Sequence, residues 1–346
     1  MPLNIRLSDQ AVWQGQPWFE VEGGPLRFRV HRRHFVALSS PDEQAALART
    51  ALAQVVIETS SYCNRTCVFC PNKDGLRTQA QTMPMAVYER IVDDLARIQF
   101  GGSILLHLYN EPLADDHIFP YIERVRDRLR GARPGLNTNG DYLDRDMLDR
   151  LAAAGLQQLN VSIYGRNPGH FNAEHIQDRI DTLVSKLGLQ PLKASGPLNV
   201  LARHGAVSVR LFGQDFSAQG YDRGGLVSVG LQRPRISPCA SPFKEILIGH
   251  DGSVVPCCNI HPGSPEHSAH IVGRVTPDRG ILEIFAAEPL AAWRRALLLH
   301  APHQGPCARC TRAECGPVGA DEHAAYEAAC NELLRPQIDT PREISQ

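Results

Sequence analysis

The sequence has no apolar run near the roughly 18 residues that a membrane-spanning helix requires. Its start, Met1-Pro2-Leu3-Asn4-Ile5-Arg6, lacks the charged head and apolar stretch of a secretory signal. A cytoplasmic location is expected. An excess of either charge is also missing. The formal net charge is −1, so no global field draws the chain to nucleic acid or an anionic membrane, and neither is expected as a partner. Lysine is scarce, with four residues against 32 arginines. Arginine suits anion contacts, but these are scattered and the bias reads as genomic. Cysteine is absent from the whole stretch 71–238.

The ten cysteines therefore fall into two groups. Three stand at Cys63, Cys67 and Cys70, and the rest lie between Cys239 and Cys330. A reducing compartment disfavours structural disulfides, so clustered thiols point to metal or redox chemistry. With 43% hydrophobic residues in 346, the chain can bury one large core or two moderate ones.

Residues 1–50 alternate in short stretches, such as Trp18-Phe19-Glu20-Val21-Glu22 and Leu26-Arg27-Phe28-Arg29-Val30, around Gly23-Gly24-Pro25. They read as a β-rich N-terminal extension with a hairpin turn. From residue 54 strands and helices alternate. Strands are expected at 54–58, 103–109, up to 140, 159–164 and 207–212. Helices are expected at 84–99, where Val87, Ile91, Leu95 and Ile98 recur at helical spacing, and at 116–130, 143–154 and 171–187. Such alternation argues for an α/β fold with a parallel sheet, whose functional residues belong at the strands' C-terminal ends. One last strand fits at 226–231, but the glycine-rich stretch before Cys239 is too short for two further crossover units. The expected architecture is a partial (β/α) barrel of about five to six parallel strands over 51–236. A small C-terminal domain built on a β-hairpin follows over 237–335, and 336–346 is a polar tail.

The first cysteine group reads Cys63-Asn64-Arg65-Thr66-Cys67-Val68-Phe69-Cys70 and follows a strand directly. Three thiolates on one loop can hold three corners of a [4Fe–4S] cube. A zinc loop would usually pair its cysteines as C-x2-C with a second pair elsewhere. C-x3-C-x-aromatic-C after the first barrel strand resembles the radical S-adenosylmethionine (radical SAM) superfamily. The resemblance implies that Cys63, Cys67 and Cys70 bind a [4Fe–4S] cluster, and that S-adenosylmethionine chelates its open iron. Reductive cleavage then yields a 5′-deoxyadenosyl radical that abstracts a substrate hydrogen. Phe69 would pack near the adenine. Glu111, in Tyr109-Asn110-Glu111-Pro112-Leu113, resembles the family's Gly-Gly-Glu-Pro-Leu segment that meets the cofactor's amino group, although both glycines are replaced here. Thr138-Asn139-Gly140 resembles the Thr-Asn-Gly after the third strand, so Asn139 joins the expected cofactor contacts. Ser162, at the fourth strand's end, joins them too.

In the tail, Cys239 precedes Phe243-Lys244-Glu245-Ile246-Leu247-Ile248, and Val254-Val255-Pro256-Cys257-Cys258 follows Asp251-Gly252. Asp-Gly between apolar runs signals a hairpin, which brings Cys239 and Cys257 to neighbouring ends. A helix is expected over 281–299, then Cys307-Ala308-Arg309-Cys310 and Cys315. By chemistry alone, zinc and an iron–sulfur cluster fit four such thiols equally. The arrangement resembles the auxiliary-cluster domains called SPASM and, in shortened form, twitch. The full SPASM pattern is not met after Cys310. The resemblance therefore implies one auxiliary [4Fe–4S] cluster on Cys239, Cys257, Cys307 and Cys310, with a second left open. Cys258, Cys315 and Cys330 remain. One could donate a hydrogen atom or bind a further cluster, and inert burial is the common fate of such thiols.

His250, His261, His267, His270, His300 and His303 gather in the tail, where surface loops are expected for most. His107 and Tyr109, two apart on a strand, share a face and could line a substrate pocket. The resemblance implies a radical SAM oxidoreductase, dehydrogenating or epimerising a small polar substrate such as an aminocyclitol or amino sugar in natural-product biosynthesis. An external electron donor such as flavodoxin or ferredoxin would serve as partner. Two alternatives are a maturase of ribosomally made peptides and a zinc-stabilised binding protein without activity.

Overall fold

The structure, a computed structural model, describes the chain apart from residues 1–3, 14–15, 24–25, 75–79, 166–170, 195, 197, 230–232, 313–318 and 336–346. The polar tail and Cys315 lie outside the described residues. The chain opens with an antiparallel sheet of β1 (Asn4–Trp13), β2 (Gln16–Gly23) and β3 (Leu26–Val30). The pairing Gly23↔Leu26 closes the expected hairpin. A helix, α1 (Pro41–Ala51), follows, and its Leu47 and Ala48 are buried in the main core.

The central layer then alternates. β4 (Gln54–Ile57) is followed by α2 (Met85–Arg97), β5 (Ser103–Leu105), α3 (Ile118–Arg128) and β6 (Arg133–Thr138). Next come α4 (Arg145–Ala154), β7 (Gln158–Ser162) and α5 (Ala173–Lys186). An antiparallel pair, β8 (Gln190–Ala194) and β9 (Asn199–His204), precedes β10 (Val207–Phe212). Two short helices, α6 (Phe216–Gln219) and α7 (Ser241–Lys244), lead to β11 (Glu245–Ile248), β12 (Ser253–Val255) and β13 (Gly273–Arg274). The chain ends in α8 (Ile281–Phe285), α9 (Glu288–Leu298) and α10 (Ala320–Leu334).

All ten strands from β4 to β13 form one sheet in the order β13-β12-β11-β4-β5-β6-β7-β10-β9-β8. The run β11-β4-β5-β6-β7-β10 is parallel throughout. Alternation along these strands sorts side chains by face. Val55, Ile57, Ile104, Leu136, Val161 and Leu211 enter the core packed by the helices. Val56, Leu105, Asn137, Ser162, Phe212 and Leu247 face a cavity on the other side.

Three expectations are corrected. No strand forms over 226–229: the chain there follows a 3-10 turn at Arg223–Gly225, where Gly224 and Gly225 have φ of 65° and 97°. The sixth parallel strand is β11, which joins the other edge of the sheet beside β4. The strand expected over 103–109 ends at Leu105: Leu106 N–H still pairs with the Gly135 carbonyl at 2.8 Å, but side chains then take the amides of Leu108 and Tyr109. Leu108 N–H donates to Asn110 Oδ1 at 3.0 Å and Tyr109 N–H to Glu58 Oε1 at 2.9 Å. The helix expected over 281–299 is broken at Ala286–Ala287, because Pro289 can occupy only a first helical turn.

A second core joins the two ends of the chain. Val21, Phe28, Val30 and Phe35 pack with Phe243, Leu298, Tyr326, Cys330 and Leu333. The Tyr326 hydroxyl donates to the Leu298 carbonyl at 2.8 Å. No helix among the described residues is long and apolar enough to cross a membrane.

Candidate functional site

Cys63, Cys67 and Cys70 lie on the loop after β4, and all three line a cavity of about 380 Å³ at the C-terminal ends of the parallel strands. Neighbouring strand ends hold that loop. Arg65 donates to both Asp141 oxygens, Nε at 2.6 Å and Nη2 at 2.5 Å, and Asn64 Nδ2 donates to Asp141 at 2.9 Å. Asn139 Nδ2 donates to Asn64 Oδ1 at 2.8 Å, and Cys70 N–H to the Cys67 carbonyl at 2.9 Å. Burial pushes the Cys63 thiol up to about 11 and the Cys67 thiol up to about 12, with nearby Cys70 adding to both. Such thiols stay protonated at neutral pH unless a metal takes the charge, and a coordinating thiol is deprotonated outright.

Glu111 is buried at the same strand ends, at 2% exposure. Its Oε1 accepts from Leu113 N–H at 3.0 Å and from Thr138 Oγ1 at 2.7 Å, and its Oε2 from Asn139 N–H at 2.7 Å. Burial raises its carboxyl above the usual range, against the opposing pull of those bonds. Asn139 and Ser162 line the cavity beside it. Phe69 closes another side, stacked on Phe216 at 4.7 Å and tilted on Tyr164 at 5.2 Å.

His107 and Tyr109 also line the cavity, although both lie beyond the strand that was to carry them. His107 Nδ1 accepts the Asn137 N–H at 3.1 Å, which leaves the ring hydrogen on Nε2. Burial lowers His107 to about 4, so the ring is neutral at pH 7. Tyr109 packs its ring on His261 at 4.3 Å. Three other polar residues, at the cavity or just behind it, carry no signal in the sequence. Glu58, fully buried, accepts from Tyr109 N–H and sits 3.1 Å from His250 Nδ1. Arg223 and Arg312 add guanidinium groups to the cavity wall. A lone arginine among 32 carries no local signal; only the fold shows which ones turn inward.

Cys239, Cys257, Cys307 and Cys310 line a second, smaller cavity with Arg235 and Arg312. Burial, then mutual repulsion, raises the Cys257 thiol, and burial pushes Cys307 up to about 12. Arg235 is buried at 1% exposure and donates to the Cys310, Arg312 and Ser237 carbonyls at 3.1, 2.7 and 2.9 Å, which fixes the C-x2-C turn. No group of three His, Cys, Asp or Glu side chains among the described residues is arranged to hold a single metal ion. The thiols line cavities instead.

The sequence model of the radical SAM superfamily matches residues 57–183, and that of SPASM, an iron–sulfur cluster-binding domain, matches 239–311. The chain thus carries a radical SAM domain followed by a SPASM region. These domains bring S-adenosylmethionine, its [4Fe–4S] cluster and auxiliary iron–sulfur binding as cofactors, and they set aside the zinc reading of the tail. Both thiol groups fit: each contributes its sulfur donors to the lining of one cavity, and cysteine is the usual cluster ligand.

This radical SAM chain is 33% identical over 110 residues to S-adenosyl-L-methionine-dependent 2-deoxy-scyllo-inosamine dehydrogenase of Niallia circulans, across 32% of this chain and 44% of that protein. It is also 33% identical over 110 residues to AdoMet-dependent heme synthase of Methanosarcina barkeri, across 32% and 30%. The matched segment spans less than half the length of either relative. A crystal structure of BtrN in complex with AdoMet and 2-DOIA superposes with a TM-score of 0.54 at 22% identity, across 71% of this chain and 87% of that one. The two share a fold.

The leftover thiols part company. Cys330 is fully buried in the seam between the N-terminal sheet and α10, away from both cavities. Cys258 lines the larger cavity. Among the tail histidines, His261 and His267 are buried rather than on the surface. His261 takes Gly263 N–H on Nδ1 and meets Asn72 through Nε2, and His267 faces the Gly224 carbonyl.

Proposed function

We propose that this protein is a radical SAM oxidoreductase acting on a small polar metabolite of the aminocyclitol or amino-sugar kind. The observation that carries the reading is the relation of the two cavities. Arg312 lines both, so the space beside Cys63, Cys67 and Cys70 backs onto the four-thiol site.

In this reading Cys63, Cys67 and Cys70 hold the first cluster, and Cys239, Cys257, Cys307 and Cys310 hold the auxiliary one. With cluster and S-adenosylmethionine bound, reductive cleavage of the sulfonium supplies the 5′-deoxyadenosyl radical that takes a substrate hydrogen. Glu111 receives the cofactor's amino group, held in place by Thr138 and Asn139. Ser162 and Asn139 meet its sugar and carboxylate, and Phe69, backed by Phe216 and Tyr164, covers the adenine. His107 turns Nε2–H to the substrate as a neutral donor, and Tyr109 borders the same space. Residues 51–236 form the barrel unit, to which β11 adds a strand; the rest of 237–335 forms the auxiliary-cluster unit, and 1–50 the extension. Electrons come from a ferredoxin or flavodoxin.

The net reaction is dehydrogenation or epimerisation. The likeness to the Niallia circulans dehydrogenase supports the substrate kind. A cavity of about 380 Å³, of the size that suits small ligands, supports a small substrate. The test is anaerobic reconstitution with iron, sulfide and zinc assayed, then incubation with S-adenosylmethionine and 2-deoxy-scyllo-inosamine. About eight irons per chain and 5′-deoxyadenosine formed in step with a changed aminocyclitol support the reading. An untouched aminocyclitol removes the substrate assignment, and zinc in place of the second set of irons removes the auxiliary cluster.

A further inference from the structure

Cys257 and Cys258 are adjacent in the chain, yet their side chains serve different cavities. Cys257 stands among the four thiols of the smaller one, and Cys258 lines the larger one with the loop thiols. The seven residues assigned to clusters are complete without Cys258. Its position is fixed from outside: the Cys258 carbonyl accepts from the Tyr109 hydroxyl at 2.7 Å and from Arg223 Nη1 at 3.4 Å. Both donors line the same cavity. Arg223 Nε is buried there without a hydrogen-bond partner, and its guanidinium lies over the Tyr109 ring at 5.7 Å. A buried, unmet donor beside a thiol marks the place where an oxygen-bearing ligand belongs. Cys330 is the contrast: equally free of cluster duty, it is sealed in an apolar seam.

We propose that Cys258 is a catalytic hydrogen-atom donor, and that the net reaction is inversion at a carbon rather than oxidation. The inference rests on the radical SAM reading above and narrows it. Once a hydrogen atom has left the substrate, the carbon radical is close to planar and can be quenched from either face. A thiol S–H bond is weaker than an aliphatic C–H bond, so transfer from sulfur to carbon runs downhill. The Cys258 S–H bond breaks homolytically, a C–H bond forms on the face toward the tail domain, and sulfur is left as a thiyl radical. One electron from a reduced ferredoxin- or flavodoxin-type protein and one proton from solvent restore the thiol. Substrate and product are then isomers. Each turnover consumes one S-adenosylmethionine and two external electrons, one for cleavage and one for the thiyl. An oxidation would instead return an electron.

The test has two arms on the reconstituted full chain. In the first, iodoacetamide is applied anaerobically and the modified cysteines are mapped by mass spectrometry. Cys258 is alkylated while the seven cluster cysteines are protected, and Cys258→Ser retains the iron content of the parent. Protection of Cys258, or loss of a cluster's worth of iron in Cys258→Ser, makes it a ligand and overturns the proposal. In the second, turnover of 2-deoxy-scyllo-inosamine is run in D₂O. The parent yields an isomer of unchanged formula carrying one carbon-bound deuterium; Cys258→Ser loses that deuterium and releases oxidised product. Oxidised product from the parent overturns the proposal. If the aminocyclitol is not consumed, the substrate assignment fails, and 5′-deoxyadenosine formed in D₂O without substrate decides the thiol. Deuterium present with the parent and lost with Cys258→Ser supports the donor; equal deuterium in both overturns it.

Discussion

The Tyr109 hydroxyl donates to the backbone carbonyl of Cys258 at 2.7 Å, joining residues 149 apart in sequence. Through that bond the loop after β5 holds the residue that adjoins Cys257 of the second thiol site. Tyr109 is itself set from below, its N–H donating to the buried Glu58 carboxylate. The loop after β5 and the segment after β12 are thus fastened at the wall of the cavity.

Removing that fastening tests its worth. Tyr109→Phe keeps the ring and deletes one hydrogen bond, worth about 1 kcal/mol net. The expected result is unchanged iron content and a several-fold rise in KM for the substrate. Iron loss on this substitution would mean that Tyr109 supports the auxiliary site itself.

The two thiol groups separate by mutation. Cys67→Ala removes about four irons and abolishes reductive cleavage of S-adenosylmethionine. Cys307→Ala also removes about four but leaves cleavage in place while substrate turnover stops. Iron and sulfide assays, with 5′-deoxyadenosine measured by chromatography, read both.

Glu111→Gln keeps the shape of a buried side chain and deletes its charge. Hydrogen bonds to charged groups are worth about 1.5–3 kcal/mol, so S-adenosylmethionine binding to the reconstituted protein weakens by roughly 10- to 100-fold. Calorimetric titration measures it. Unaltered affinity would return Glu111 to a purely structural role, tying β6 to the loop through Thr138 and Asn139.

His107 makes stability depend on pH. Its folded value is about 4 against an ordinary 6.5, so between those values the unfolded chain binds a proton that the folded chain refuses. Stability therefore falls as pH drops below 6.5, a loss that is complete below pH 4 and is absent at neutral pH. The full term is about 3 kcal/mol. His107→Asn removes it, so the drop in Tm between pH 7 and pH 5 is smaller in the variant. His31, lowered to about 4 by burial, keeps its own contribution in both proteins.

Cys330→Ala tests the seam. The thiol packs among Val21, Phe28, Tyr326 and Leu333, and truncating it costs about 1 kcal/mol. Tm falls by about 2 °C, while iron and sulfide stay at parental values.

The sequence by itself determined the parts whose information is local. Three cysteines within eight residues must share a loop, and Asp251-Gly252 between apolar runs must turn. Val87, Ile91, Leu95 and Ile98 fall on one helical face wherever the helix lies. Strand–helix alternation required a parallel sheet, and its strand ends carried Glu111, Asn139 and Ser162 into one cavity. What depends on long-range pairing was left to the tertiary structure. β11 joins the sheet beside β4 because its run Glu245-Ile246-Leu247-Ile248 is buried on both faces, and no spacing rule reveals which edge such a strand will find. Over its described part, 226–229, the strand expected at 226–231 does not form, and the chain enters that stretch from a turn whose Gly224 and Gly225 have positive φ. Arg223 and Arg312 became cavity residues, and Glu58 the buried support of Tyr109, only through packing, since a charged side chain's neighbours are set by the fold and not by its place in the chain. The same holds for the surroundings of three thiols. Cys257 and Cys258 were divided between two cavities and Cys330 sealed in a seam by where the hairpin and α10 packed.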